Sequence, residues 1–317
     1  MNNRNPDDKL RLLLDTDANN EIDDQHAIAY VLLNGGCFYV EGLTVNRTNN
    51  GGDIEAQAIE AERVIALCGL QGVLPVTRGA SASFVDIEPH LMEPDFDGVD
   101  AVNLIVRRAR QASSEKLVLL AIGKLTNIAL ALKKDPTIID RVKVVWLGSN
   151  YPQPGEYNLD NDPESVNFVL DTSVEFEMAV VRYGAFSGTG AVKVSLQWVR
   201  DRIAGKGPTA SAAVIGRHGG EFMNLGDYAL NLLEHTDLYG DPPARALYDL
   251  AAAAIVKQPS WAQAHSIPAP ILQHGRWHSR PENTREIVIR EYFDAKAILE
   301  DFYATMDSYV LADIASE

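Results

Sequence analysis

The chain has 317 residues, 46% hydrophobic and 23% charged, with a formal net charge of −16. That is ample apolar surface for a folded globular chain, and the acidity repels phosphate backbones and anionic headgroups, which excludes nucleic acid and membrane surfaces as expected partners. Cys37 and Cys68 alone form neither a disulfide framework nor a zinc site, the N-terminus lacks a signal peptide's apolar core, and no run approaches ~18 apolar residues; the expectation is a protein of the reducing cytoplasm.

Taken in order, residues 1–9 are polar and LRLLL (10–14) is a short apolar run that stops at acids. Residues 26–36 have helical spacing and a glycine stop, 38–46 read as a buried strand, and 54–69 as an amphipathic helix. A strand and turn follow at 73–80, a helix at 102–112, a strand apolar on both faces at 116–123, and a helix at 125–136 closed by Asp135-Pro136. Residues 141–150 read as a strand, then a loop to about 161, a helix at 163–172 and a strand at 177–184. Beyond about 195 the runs 196–207, 210–219, 222–235 and 244–259 read as helical, and the tail as a short strand and a final helix. Strands buried on both faces and alternating with helices predict an α/β fold: an open, mostly parallel sheet flanked by helices, with a helical C-terminal part, in one domain spanning 1–317. Ligands of such sheets bind outside the carboxyl ends of the strands, so Asp15, Asp17, Asn46 to Asn50, Lys124 to Asn127 and Ser149 to Asn158 are drawn together by topology alone.

DTDANNEIDD (15–24) places five acids in ten residues after the first strand. One reading is a solvated turn ahead of a helix, where acids are favourable. A Ca²⁺ loop of the EF-hand kind fits worse, because Asn20 stands where glycine is wanted and His26 where a bidentate glutamate is needed. An aspartyl-phosphate phosphatase would use Asp15 as nucleophile and Asp17 as acid, with Thr44 and Lys124 as phosphate contacts, but Asn19 departs from that pattern. A metal-assisted glycoside cleavage site is the third reading. Here DTDANNEIDD and the helix behind it resemble the opening motif D-x-D-P-G-x-D-D of the inosine-uridine-preferring nucleoside hydrolase family, with a loop two residues longer and Asn-rich in place of Pro-Gly.

Further loops agree in order: NRTNNGG (46–52), GKLTN (123–127), LGSN (147–150) followed by PQPGEYN, DPESVNFVL (162–170) and ALYDLAAAAIV (246–256). The resemblance covers about residues 11–260. It implies that Asp17, Asp24, Asp249 and the main-chain carbonyl of Thr126 hold Ca²⁺, and that Asp17 takes the proton of a water whose pKa the cation lowers. It also implies that Asp23, Asn50 (or Asn49), Asn150, Glu156, Asn158 and Asp249 face the sugar. The implied substrate is a nucleoside or related furanoside, hydrolysed at its N-glycosidic bond, and the implied assembly is a homo-oligomer. Asp249 also stands out by itself, since a carboxylate among Leu247, Leu250 and Ala251–Ala254 is costly without a partner.

Tyr248 stands where many relatives have a histidine acid for the leaving base, so it is the candidate there, as a weak acid or a stacking ring. His218, His235, His274 and His278 receive no role. Two other readings stay open: a relative acting on another sugar-containing compound, and a Ca²⁺-dependent sugar-binding module without turnover. Residues 83–100 read as a lid that brings His90 and Phe96 to the site. Residues 261–282 read as a pocket border, a dimer surface or an irregular loop.

Overall fold

The computed structural model describes residues 9–316. The first half alternates as the sequence predicts: β1 (Leu10–Thr16), α1 (Asp23–Leu33), β2 (Phe38–Val45), α2 (Ile54–Leu67), β3 (Val76–Arg78), α3 (Phe84–Ile87), α4 (Val99–Arg110), β4 (Leu117–Ala121), α5 (Thr126–Lys134) and β5 (Val142–Leu147). A short helix α6 (Tyr157–Asn161) occupies the end of the segment read as loop, followed by α7 (Pro163–Asp171) and β6 (Glu175–Ala179). The second half holds β7 (Lys193–Val194), α8 (Leu196–Ile203), β8 (Thr209–Ile215), β9 (Glu221–Asn224), α9 (Leu225–Glu234), β10 (Arg245–Ala246) and α10 (Tyr248–Lys257). Then come β11 (Gln263–Pro268), β12 (Ile271–Gln273), β13 (Arg276–His278), β14 (Glu286–Glu291), α11 (Ala295–Asp307) and β15 (Asp313–Ile314).

The main sheet runs β11-β14-β6-β5-β4-β1-β2-β15, with β3 also on β2, and every pair is parallel except β11 with β14. Leu12–Leu14 and Leu117–Ala121 are buried on both faces, as strands covered by helices on each side must be. The chain order reverses between β1 and β4, which makes the carboxyl ends of these two strands the place where a crevice opens.

Two helices approach those ends with no polar face. Every residue of α1 is buried, and α10 is buried from Asp249 to Val256. Ala251–Ala254 present small side chains, which allow α10 to pack closely on α1. Both helices therefore begin at the crevice. Among the described residues no helix is long and apolar enough to cross a membrane.

Several segments differ from the sequence reading: besides α6, β9 and β10 begin runs that read as helical. The alanine-rich run at 210–215 is a strand, because Gly219 and Gly220 at φ +83° turn the chain back on itself and pair β8 with β9. Residues 83–100 pack onto the core through Phe84, Ile87, Leu91 and Phe96, which are buried, while His90 is exposed against Glu93.

His26 of α1 is buried against Phe302, with Nδ1 2.7 Å from the Ile22 carbonyl, and burial pushes its pKa down to about 4. The unfolded imidazole titrates near 6.5, so the unfolded chain binds more protons between these values. The contribution of His26 is complete above about pH 6.5 and is lost as pH falls toward 4, by roughly 3 kcal/mol. Melting curves of wild type and His26→Gln should diverge in slope across that window, with the flatter profile in the variant.

Candidate active site

The end of β1 carries the acids inward. Asp15 is fully buried and accepts from Thr44 Oγ1 (2.6 Å), Asn127 Nδ2 (2.7 Å) and Asn46 Nδ2 (2.9 Å). Burial lifts its pKa to about 6 against these donors. Its oxygens are spent on tying β1 to the turns after β2 and β4. That leaves Asp15, the nucleophile of the phosphatase reading, off the cleft lining, and Lys124 is likewise committed, donating to the Ala82 carbonyl at 2.6 Å.

Two residues on, Asp17 points into a cleft of about 220 Å³ that it lines together with Asp23, Asp24 and Asp249. Asp17 Oδ2 accepts from Thr48 Oγ1 at 2.6 Å. Its Oδ1 lies where a side chain at residue 123 would intrude, 3.0 Å from an added Cβ, so Gly123 is needed for this approach. Asp24 accepts from the Thr16 hydroxyl. Asp23 Oδ2 accepts from the backbone N–H groups of Tyr248 (3.1 Å) and Asp249 (3.4 Å), capping α10 from a distant part of the chain. Ligand oxygens of Asp23, Asp24 and Asp249 lie within 4.8 Å of one another, and Oδ1 of Asp249 has no hydrogen-bond partner.

These four carboxyls are all nearly inaccessible to solvent. Burial, followed by Thr48 and the charge of Asp23, places Asp17 at about 7, and Asp23 is raised to about 6. Asp24 and Asp249 are pushed well above the carboxylate range by burial, and then Asp24 by the charges of Asp17 and Asp23 and Asp249 by those of Asp23, Asp24 and Asp17. The N-termini of α1 and α10 offset part of this repulsion, but about half a charge per helix does not balance four acids. The donor set, all carboxylate oxygen with one oxygen unpartnered, fits a hard divalent cation.

The Asn-rich loop 18–22 is tied down on both sides despite its extra length, next to Asp23 and Asp24. Asn19 Nδ2 donates to the Gly51 carbonyl (2.8 Å), and Arg217 from the β8–β9 hairpin donates to the Asn19 carbonyl (3.1 Å). Asn50 lines the cleft and its N–H donates to the Tyr157 hydroxyl at 2.8 Å. Asn158 also lines it, with Nδ2 donating to the carbonyls of Ile122 (3.0 Å) and Leu147 (3.1 Å). Glu156 borders the cleft and caps α6: its carboxylate accepts from the N–H groups of Ser149 (2.7 Å), Asn158 (3.0 Å) and Leu159 (3.0 Å). Burial nonetheless raises its pKa to about 6.

Two expected residues stand apart from the cleft lining. Thr126 is the first residue of α5, and its hydroxyl donates to Asp162. The residue of this turn that lines the cleft is Ile122, directly after β4. Asn150 braces the rim instead of lining it, accepting from the Tyr183 N–H at 3.0 Å.

The rim carries residues that the sequence reading missed: Tyr183, Tyr157 and Arg245. Tyr183 meets Tyr248 edge to face, centroids 6.2 Å apart. Arg245 pairs with Glu21 and lies under Tyr239. Tyr183 follows the apolar run of β6, so the rule about strand ends applied to it as well; nothing local marks Arg245. Tyr248 is half-buried, and burial plus the charge of Asp23 raise its pKa above that of a free phenol, so it is a poorer acid here than in water.

The family model for inosine-uridine preferring nucleoside hydrolases matches residues 12–297. An inosine-uridine preferring nucleoside hydrolase of Leishmania major is 26% identical over 319 residues, covering 90% of this chain and 94% of its own. A plant nucleoside hydrolase superposes with a TM-score of 0.72 at 17% identity, covering 94% of this chain and 99% of its own. A purine-preferring ribonucleoside hydrolase from Gardnerella vaginalis gives 0.71 at 18%, covering 93% and 98%. The match runs through the acidic loop, the strand-end turns and the helix that carries Asp249, and the chain belongs to the inosine-uridine preferring nucleoside hydrolase family.

Proposed function

We propose that the protein hydrolyses the N-glycosidic bond of a ribonucleoside with the help of Ca²⁺ held by Asp17, Asp24, Asp249 and the main-chain carbonyl of Ile122. The observation that carries this reading is the meeting of three buried acids, Asp23, Asp24 and Asp249, with an unpartnered Asp249 oxygen among them and Asp17 on the same cleft wall. Ile122 takes the place first given to Thr126 because it is the residue of that turn on the cleft wall. When bound, a divalent cation supplies compensating charge, oxygen coordination for a sugar diol and acidification of a water.

The chain's own residues do the rest. Asp17 accepts the proton of the attacking water. Asp23 and Asn158 hold sugar hydroxyls, and Asn50 and Glu156 also bound the cleft, so the ring is fixed before the bond stretches toward an oxocarbenium-like state. Asn150 acts through the Tyr183 loop. Tyr183 and Tyr248 offer aromatic faces to the departing base, which leaves with the electron pair of the broken C–N bond and takes its proton from solvent water, and the Tyr248 hydroxyl donates a hydrogen bond without giving up its proton.

Tyr248→Phe is expected to reduce kcat/KM by at most about tenfold, since one hydrogen bond is worth about 1 kcal/mol. Tyr248→Ala should mainly raise KM. A loss in Tyr248→Phe as large as that from deleting the base would make the phenol a proton donor after all. The function itself is tested with a panel of purine and pyrimidine ribonucleosides, measuring released reducing sugar with and without chelator. Release that chelator abolishes and Ca²⁺ restores is expected; release that persists in excess chelator rejects the cation, and cation binding without release from any panel member rejects the hydrolase.

A further inference from the structure

We propose a second ligand site, for an amphipathic organic anion, at the β3–β15 edge of the sheet. The cavity there is 600 Å³, larger than the active-site cleft and on a different wall of the molecule. It exists because two short strands share one edge of β2. β15 pairs Tyr39 and Val40, β3 pairs Leu43 to Val45, and Glu41 and Gly42 between them pair with neither. Glu41 is also skipped in the register of β1 with β2, where Leu12 faces Val40 and Leu13 faces Gly42. The gap in the edge is the floor of the cavity, and α4 forms one wall.

The charges lining it do not balance. Glu41 is taken by Arg11, and Glu62 by Arg78 at 3.1 Å. Arg107 and Arg108, adjacent in the last turn of α4, have no ion-pair partner among the described residues. Arg107 is exposed, whereas Arg108 is 5% exposed and its Nε has no hydrogen-bond partner. The Arg108 carbonyl additionally accepts from Arg11 Nη2 at 2.9 Å, which brings a third guanidinium close. The C-terminal dipole of α4 favours cations in that turn, but it gives Nε no acceptor. A buried guanidinium without an anion is expensive, and this one faces an open cavity in a chain whose net charge is −16.

The chemistry selects the ligand. Guanidinium forks match carboxylate and phosphate oxygens. Ile65, Val73, Leu74 and Leu104 supply an apolar surface beside the arginines. A ligand with a small apolar body and a carboxylate or phosphate head satisfies both, and the volume is in the range of small-molecule sites.

The test uses the full chain and calorimetric titration with phenyl phosphate, benzoate, inorganic phosphate and benzyl alcohol. Phenyl phosphate is expected to bind and to raise Tm, inorganic phosphate to bind more weakly, and benzyl alcohol not to bind. Benzoate binding as tightly as phenyl phosphate assigns the site to any anionic head; benzoate not binding assigns it to phosphate esters. Arg107→Gln/Arg108→Gln should weaken phenyl phosphate by about tenfold or more, while nucleoside does not compete and Arg108→Gln alone melts no lower than wild type. If that double variant does not fold, Arg107→Gln alone, at an exposed side chain, should still weaken binding. Absence of phenyl phosphate binding, equal affinity in the folded arginine variants, displacement by nucleoside, or inorganic phosphate binding as tightly as phenyl phosphate would each overturn the proposal.

Discussion

Asp17→Asn is expected to lower kcat by about 10²–10⁴-fold at saturating Ca²⁺ and nucleoside, the range for removal of a positioned general base, the role proposed for Asp17. The amide keeps the volume of the side chain and an oxygen to accept the Thr48 hydroxyl, which donates to Asp17 at 2.6 Å, so the fold should persist. The variant also removes one of the buried charges that raise the pKa of Asp24 and Asp249. In chelator it should therefore melt higher than wild type. Lower activity together with higher cation-free stability separates a catalytic loss from unfolding. Asp17 is also a proposed ligand, so cation affinity must be titrated alongside. A variant retaining more than about a tenth of wild-type kcat would remove Asp17 from the base role.

Chelation is the second large effect, and its size depends on pH. Asp17, Asp23 and Glu156 titrate at about 7, 6 and 6 in the fold, above the ordinary values of 3.8 and 4.5, and Asp24 and Asp249 are also raised. Between pH ~4 and ~7 the folded chain therefore holds more protons than the unfolded chain, and cation-free stability falls as pH rises through this window. His26 pulls the other way over part of it, as one group against several. A bound divalent cation compensates the charges, so the gap between loaded and chelated protein should widen from pH 5 to pH 8. At a thousandfold excess over Kd the gap amounts to about 4 kcal/mol, on the order of 10 °C for a chain of this size. Differential scanning calorimetry at both pH values measures it. A gap that is constant or narrows with pH would mean that the acids are held by something other than a cation.

Much of this architecture is legible in the chain. Alternation of two-faced apolar runs with amphipathic helices identifies a parallel sheet, and the position of LRLLL ahead of the acids puts Asp15 and Asp17 at a strand end, where β1 places them. The apolar surroundings of Asp249 already demand a partner, and the start of α10 meets the start of α1. Other features depend on tertiary detail that local sequence does not carry. GKLTN marks the turn after β4 but not which residue faces the cleft; the end of the strand decides, and it presents Ile122 rather than Thr126. Asn150 braces the rim while Tyr183, which the sequence reading does not single out, lines it, because the turns after β5 and β6 hydrogen-bond to each other. Glu156 looks like a free loop charge until its carboxylate is found capping α6. The strand at 209–215 hid behind alanine's helix propensity, and only pairing with β9 settles its conformation.

Anomalous diffraction from crystals grown with Mn²⁺ or Ca²⁺ at near-neutral pH interrogates the acidic cluster itself. The expected result is one strong peak enclosed by the carboxylates of Asp17, Asp24 and Asp249, with oxygen distances of about 2.1–2.6 Å. Density that leaves this cluster empty at saturating cation, with the Asp249 side chain turned away from the other two, would contradict it.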